Sequence, residues 1–317
     1  MRYPQATPYA FSVDMDKVDD IGALQKVCPA DAIVADDTPK TETLSVAAIV
    51  VSIGAELFDP AVLDNFGGGQ YPNVVTGLQY ERIMSASGPT QGQLTRPSDS
   101  RRPRKVAWIQ CVGSRGINKG DVPYCSSVCC MYALKEAIVT KERFAEDIET
   151  SVFYMDMRTC GKDYELYLNR AENEYGIRLI RSRPHSVVED PRTRDLSITY
   201  TTDEESRHHT ETFDMVVLST GFRVPASAVD LADRLGIELN PHHFAKTSSF
   251  SPVATSKDGI YVCGVYESPK DIPETMVQAS AAAAMAAEKL PARVDGDEVL
   301  SEFPPERDVS GEAPRIG

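Results

Sequence analysis

The sequence predicts an α/β fold, on three observations. From Val106 onward, short apolar β-type runs alternate with helical stretches. An alternating stretch, LSITYTT, and an apolar run, FDMVVLST, follow them. Near the C-terminal end a strand that closes on glycine, GIYVCG, feeds a long helix. Strands separated by helices argue for parallel pairing, and the later strands for a small antiparallel layer that returns the chain to its first lobe. At 317 residues and 42% hydrophobic, the chain can bury a substantial core, expected in two lobes.

Taken in order, Leu44 to Ile53 is a β-rich apolar run closed by Gly54 and a turn at Asp59-Pro60. Gly67 to Gly69 and the polar stretch SGPTQGQLTRPSDSRRPRK mark loops, and the arginines of that stretch read as a solvated linker. Val106 to Gln110 reads as a buried parallel strand. Ser126 or Ser127 can cap a helix running through Tyr132, Ala133 and Leu134 toward Thr140. A second strand, Ser151 to Met155, ends at Asp156, where a nucleotide fold places its ribose-binding acid. A helical stretch around Lys162 to Tyr175 and a strand from Arg178 to Arg181 come next. In the last third, Asp271 and Glu274 have the spacing of a capping box, and Pro273 fits the first turn of the alanine-rich helix.

The densest chemistry is four cysteines in one window, Cys111, Cys125, Cys129 and Cys130. Cytosolic reductants keep thiols open, so such a group points to metal rather than to disulfides. Structural zinc is disfavoured by the adjacent Cys-Cys pair, and a redox dithiol by the absence of Cys-x-x-Cys, the spacings being fourteen, four and one. Buried apolar cysteines account for one or two of the four. Four thiolates are the ligand set of a [4Fe–4S] cluster, which is the expectation here. Cys-Val-Gly-Ser-Arg occupies the strand-to-helix turn where a glycine fingerprint would hold a pyrophosphate, with one glycine of three, so nicotinamide nucleotide binding there is not expected. A helix N-terminus favours thiolates and the negative charge of a ligated cluster. Cys160 and Cys263 read as structural, and the His208-His209 and His242-His243 pairs as surface.

The net charge of −14 argues against nucleic acid and anionic membrane surfaces. With no apolar run near membrane-span length and no leader, a cytoplasmic protein is expected.

The segments CVGSR, YCSSVCCMYALKEA, YMDMR, VVLSTGF and VCGVYESPKDIPETMVQASAAAAMAA, in this order, resemble the A-type subunit (HdrA) of heterodisulfide reductase. They are also similar to the corresponding A-type subunit of the quinone-interacting membrane-bound oxidoreductase. The resemblance runs from about Tyr3 to Leu290. It implies a thioredoxin-reductase-like flavoprotein fold with two dinucleotide-binding domains: a partial FAD domain over 37–104 and 221–292, and a nucleotide-domain relative over 105–220. It implies that Cys111, Cys125, Cys129 and Cys130 bind a [4Fe–4S] cluster. It also implies that Gly264, Lys270, Asp271, Ile272 and Gln278 lie against FAD, and that the partners are other iron–sulfur subunits.

Two departures qualify the resemblance. The glycine-rich FAD fingerprint of the family is missing, so the chain looks like a C-terminal portion. Of the ferredoxin-like pattern expected within 1–36, only Cys28 remains, with Val18, Ile21 and Leu24 at the other ligand positions. That segment is read as a ferredoxin remnant rebuilt around a small apolar core, and 293–317 as a disordered acidic tail. The expected function is an oxidoreductase subunit passing electrons between FAD and the cluster. The alternatives are a cofactor-poor docking module and an NAD(P)H-dependent disulfide reductase.

Overall fold

The computed structural model describes residues 13–35, 41, 43–117, 120–144, 148–202 and 207–290. The expected acidic tail lies outside the described residues. Contacts divide the chain into two units, Met1–Val46 with Pro291–Gly317, and Ala47–Leu290.

In the first unit a short helix, α1 (Ile21–Val27), is capped by Asp20, whose carboxylate accepts from the Gly22 and Ala23 amides. Cys28 ends it, and its sulfur accepts from the Ala32 amide at 3.4 Å. None of the described residues of this unit is buried, and Val27 is 74% exposed. Among the described residues of this unit the expected apolar core is not formed, because two helical turns offer too little apolar surface to enclose one.

The second unit is organised by strands β1 (Ile49–Val51), β2 (Glu56–Leu57) and β3 (Val74–Thr76), helix α2 (Gly77–Met84), strand β4 (Lys105–Val112), helix α3 (Cys129–Phe144), strand β5 (Glu149–Tyr154), helix α4 (Tyr164–Asn173) and strand β6 (Arg178–Arg181). Strands β7 (Ser186–Glu189), β8 (Leu196–Thr201), β9 (His208–Phe213), β10 (Met215–Thr220) and β11 (Phe222–Arg223) follow, then α5 (Ala226–Leu235), β12 (Ile260–Val262) and α6 (Ile272–Ala287).

Five strands form a parallel sheet in the order β3-β10-β4-β5-β6. Helices α2, α3 and α4 cover one face with Tyr80, Leu134, Ile138 and Ala171 around Trp108 and Val152. The antiparallel layer β7-β8-β9 covers the other through Leu196, Ile198 and Phe213, packed on Ile109, Phe153 and Val216. Burial on both faces explains why β4 and β10 are apolar almost without interruption. Strand β3 hydrogen-bonds to β10, so residues from the 37–104 segment complete the edge of this sheet. A separate pair, β1 with β12, is parallel and packs on α5 through Val51, Ala232, Val262 and Tyr266.

One correction concerns the polar stretch before β4. Arg96 is 3% exposed, not solvated, and donates to Asp195, to Asp214 and to the Thr193 carbonyl. Carboxylates from the starts of β8 and β10 neutralise it, which lets a long loop lie flat on the sheet edge.

Candidate functional site

The chemistry gathers at the carboxyl ends of the central parallel strands, where open α/β sheets present ligands. Strand β4 ends in a bulge: Ile109 pairs with Leu218 but Val112 pairs with Thr220, so β4 carries one residue more than its partner. Cys111 sits in that bulge with φ of +60°, a conformation in which a non-glycine residue is strained. A bulge beside a site re-aims a side chain. Gly113, at φ +73°, allows the turn to press against Phe58; a Cβ there would come within 2.3 Å of the Phe58 ring.

The other thiols arrive from the start of α3. Cys129 and Cys130 form its first turn and, like Cys111, are 6% exposed; Cys125, in the loop before it, is half-buried. Ser126 caps nothing: its hydroxyl accepts from the Phe222 amide at 2.8 Å and meets Ser114 at 3.1 Å, pinning the loop to the end of the sheet. Backbone amides serve the sulfurs instead. The Ser127 amide donates to Cys125 Sγ at 3.3 Å and the Arg158 amide to Cys130 Sγ at 3.4 Å. Cys129 Sγ lies 3.7 Å from the Thr220 carbonyl, which also accepts from the Tyr132 hydroxyl at 3.0 Å.

Burial pushes the Cys111 thiol up, against the pull of the Arg115 guanidinium. Burial likewise raises Cys129 strongly and lifts Cys130 to about 11. Negative charge on Cys111 and Cys125 would raise both further. Left to themselves Cys111, Cys129 and Cys130 are neutral thiols, and a strongly cationic guest would favour their thiolate forms. The four thiols, with amide donors to Cys125 and Cys130 and no disulfide among the described cysteines, are the ligand type that an iron–sulfur cluster takes. Among the described residues, no group of three or more His, Cys, Asp or Glu side chains is placed so that it could hold a metal ion.

Arg115 of the turn forms an ion pair with Asp156 at the end of β5, and Arg158 joins it at 3.4 Å. Arg115 holds the Asp156 carboxyl below its usual range. The acid that a nucleotide fold would offer to a ribose is thus engaged by the arginine of the cysteine turn.

The residues expected to face a flavin divide into two groups. Gly264, at φ +75°, donates its amide to Gln278 Oε1 at 2.8 Å. Lys270 Nζ donates to the Gly264 carbonyl (2.9 Å), Glu267 Oε2 (2.8 Å) and the Ser268 carbonyl (2.8 Å), while Gln278 Nε2 donates to Glu267 and to the Pro252 carbonyl. Gly264, Lys270 and Gln278 therefore form a buried bracket whose polar groups are taken up internally. Asp271 and Ile272 stand outside it at the start of α6. Asp271 and Glu274 make the reciprocal capping box, and Asp271 also accepts from the Tyr164 hydroxyl at 3.0 Å.

That last contact joins the two halves of the site. A cleft of about 430 Å³ is lined by Cys125, Ser127, Arg158 and Tyr164 on one side and by Asp271 and Glu274 on the other. Cys160, read as structural, is exposed and lines the same cleft.

A titratable residue that its sequence context does not single out is Glu136. It is buried beside Trp108, whose indole N–H donates to it at 2.7 Å, and burial pushes its carboxyl up to about 8. The available signal was its position two turns after Cys129, on the stripe that includes Ala133 and Thr140. Because the folded value lies above the ordinary one, the unfolded chain ionises first as pH rises. The native state then loses relative stability between about pH 4.5 and 8. At pH 7 the loss is about 3 kcal/mol, at 1.36 kcal/mol per unit. Glu136→Gln should remove this slope: urea midpoints of wild type and variant agree near pH 4.5 and diverge in favour of the variant by pH 8. Parallel pH profiles would contradict a protonated Glu136.

No protein-family model matches the chain. Among curated proteins, the A-type iron-sulfur subunit 2 of the CoB–CoM heterodisulfide reductase of Methanopyrus kandleri is 41% identical over 297 residues, covering 92% of this chain and 44% of that protein. The A-type subunit of the H2:CoB-CoM heterodisulfide,ferredoxin reductase of Methanothermobacter marburgensis is 39% identical over 289 residues (90% and 43%). The A-type iron-sulfur subunit of the CoB–CoM heterodisulfide reductase of Methanocaldococcus jannaschii is 40% identical over 285 residues (89% and 43%). The chain thus spans less than half the length of the relatives it matches. Similar solved structures are the thioredoxin reductases of T. acidophilum (13% identity, TM-score 0.47) and Lactococcus lactis (17%, 0.48), each covering 76% of this chain and 65% of the other. No helix among the described residues is long and apolar enough to cross a membrane.

Proposed function

Since the chain is a relative of the A-type heterodisulfide reductase subunits over nine-tenths of its length, we propose that it is an iron–sulfur flavoprotein segment of such an oxidoreductase, passing electrons between FAD and a [4Fe–4S] cluster. Cys111, Cys125, Cys129 and Cys130 hold the cluster. FAD lies against the start of α6, at Asp271 and Ile272, with Gly264, Lys270 and Gln278 as the bracket that shapes that turn. The observation that carries the reading is the shared cleft: Cys125 and the α6 N-terminus line one space, as short-range electron exchange requires.

When bound, the cluster supplies one-electron exchange and the flavin joins it to two-electron chemistry. The chain's own residues do the positioning. The Ser127 and Arg158 amides orient the sulfurs and stabilise negative charge on them. The Arg115–Asp156 pair keeps a guanidinium beside Cys111. The Lys270–Glu267 pair locks the loop before α6. Exposed Ile272, Met276 and Val277 give α6 an apolar outer face. With other iron–sulfur subunits as partners, this chain works as wiring rather than as the site of substrate chemistry.

Anaerobic reconstitution tests the reading directly. The expected product is brown, with about four iron and four sulfide per chain, the content of the cluster such a ligand set holds. A colourless protein with stoichiometric zinc would reject it.

A further inference from the structure

Gln110 is the residue immediately before Cys111, and its position is costly. It is 5% exposed, and neither Oε1 nor Nε2 has a hydrogen-bond partner. Leaving buried amide atoms unmatched costs about 1–3 kcal/mol each, so a glutamine here, in a strand of Val, Ala, Trp and Ile, implies a partner that the protein atoms do not supply. Val106 and Trp108 of β4 pack into the cluster beneath α3, whereas Ile109 and Val112 pack on the opposite face. Strand alternation puts Gln110 on the α3 side, at the end of the strand where Cys111, Cys129 and Cys130 assemble. The thiols already have partial donor coverage: backbone amides reach Cys125 and Cys130, and Arg115 Nη1 stands 3.9 Å from Cys111 Sγ. Cys129 Sγ lies against the Thr220 carbonyl, and among the described residues no backbone amide is seen donating to it.

We propose that the Gln110 carboxamide donates its N–H groups to the sulfurs of the cluster held by these cysteines and raises its reduction potential. This rests on the cluster reading above. A hydrogen bond to sulfur stabilises the more negatively charged, reduced state, so its removal lowers the potential. An apolar side chain of similar shape removes the donor without opening a cavity.

The test is a potentiometric titration of the reconstituted chain, followed by visible absorption and electron paramagnetic resonance, in wild type, Gln110→Met and Gln110→Leu. Both variants should hold as much iron and sulfide as wild type and show a more negative midpoint with altered resonance positions. The expected shift is about tenfold in the reduced-to-oxidised ratio at a fixed potential, or 59 mV for one electron. Unchanged midpoints at equal iron content would mean that ordered water satisfies Gln110, and would overturn the proposal while leaving the cluster in place. Loss of iron in both variants with wild-type circular dichroism would also overturn it, by making Gln110 an assembly element. Absence of iron from the wild type itself would instead remove the reading beneath it.

Discussion

Cys129→Ser and Cys130→Ser are each expected to bleach the broad visible absorption of the reconstituted protein and to reduce its bound iron to near zero. Both residues are 6% exposed at the first turn of α3, which disfavours a solvent ligand in their place. A serine hydroxyl in the same place is far harder to deprotonate than a thiol already raised by burial. The fold should survive, because the Thr220 carbonyl near Cys129 can accept from a hydroxyl and the volume change is small. Circular dichroism and the thermal midpoint separate loss of cluster from loss of structure. Two controls sharpen the outcome. Cys28→Ser, in the first unit, and Cys160→Ser, an exposed thiol on the cleft wall, should keep colour and iron. Bleaching by either control would mean that the ligand set has been assigned to the wrong thiols.

FAD affinity should differ by orders of magnitude between this chain alone and the same chain joined to the remainder of a full-length relative. The reason lies in what the described residues offer. Gly264, Lys270 and Gln278 direct their polar groups into one another and Glu267, which leaves the first turn of α6 as the polar contact. Among the described residues the β1–β12 sheet has two strands, with Ile49 and Val50 of β1 exposed, whereas parallel sheets are ordinarily covered on both faces. A pyrophosphate-binding turn contributes several charge-assisted hydrogen bonds of about 1.5–3 kcal/mol each. Lacking two of them lowers affinity by roughly 10²–10⁴ at 1.4 kcal/mol per tenfold. Fluorescence titration of FAD into both proteins measures the difference. Equal and tight binding by both would show that the residues in hand build a complete flavin site.

The sequence by itself determined the features governed by short-range physics. The alternation of strands and helices, the strand Arg178–Arg181, the Asp271–Glu274 capping box and the four thiols of one window all follow from period, cap chemistry or residue type within a few positions. Each is set before any distant segment arrives. Tertiary packing decided the rest. Only the completed sheet brings β3 beside β10, from a distant part of the chain, and only the carboxylates waiting at Asp195 and Asp214 turn Arg96 from a linker residue into a buried tie. Ser126 has the neighbours of a helix cap in sequence, yet the Phe222 amide, brought by β11, takes its hydroxyl. Lys270 and Gln278 had the residue types of a cofactor surface, and burial against Glu267 closed them into a bracket. Glu136 and Gln110 acquire their chemistry from desolvation alone. A carboxyl or an amide is ordinary in water, and it becomes a perturbed acid or an unmatched donor only when helix α3 and strand β4 exclude water from around it.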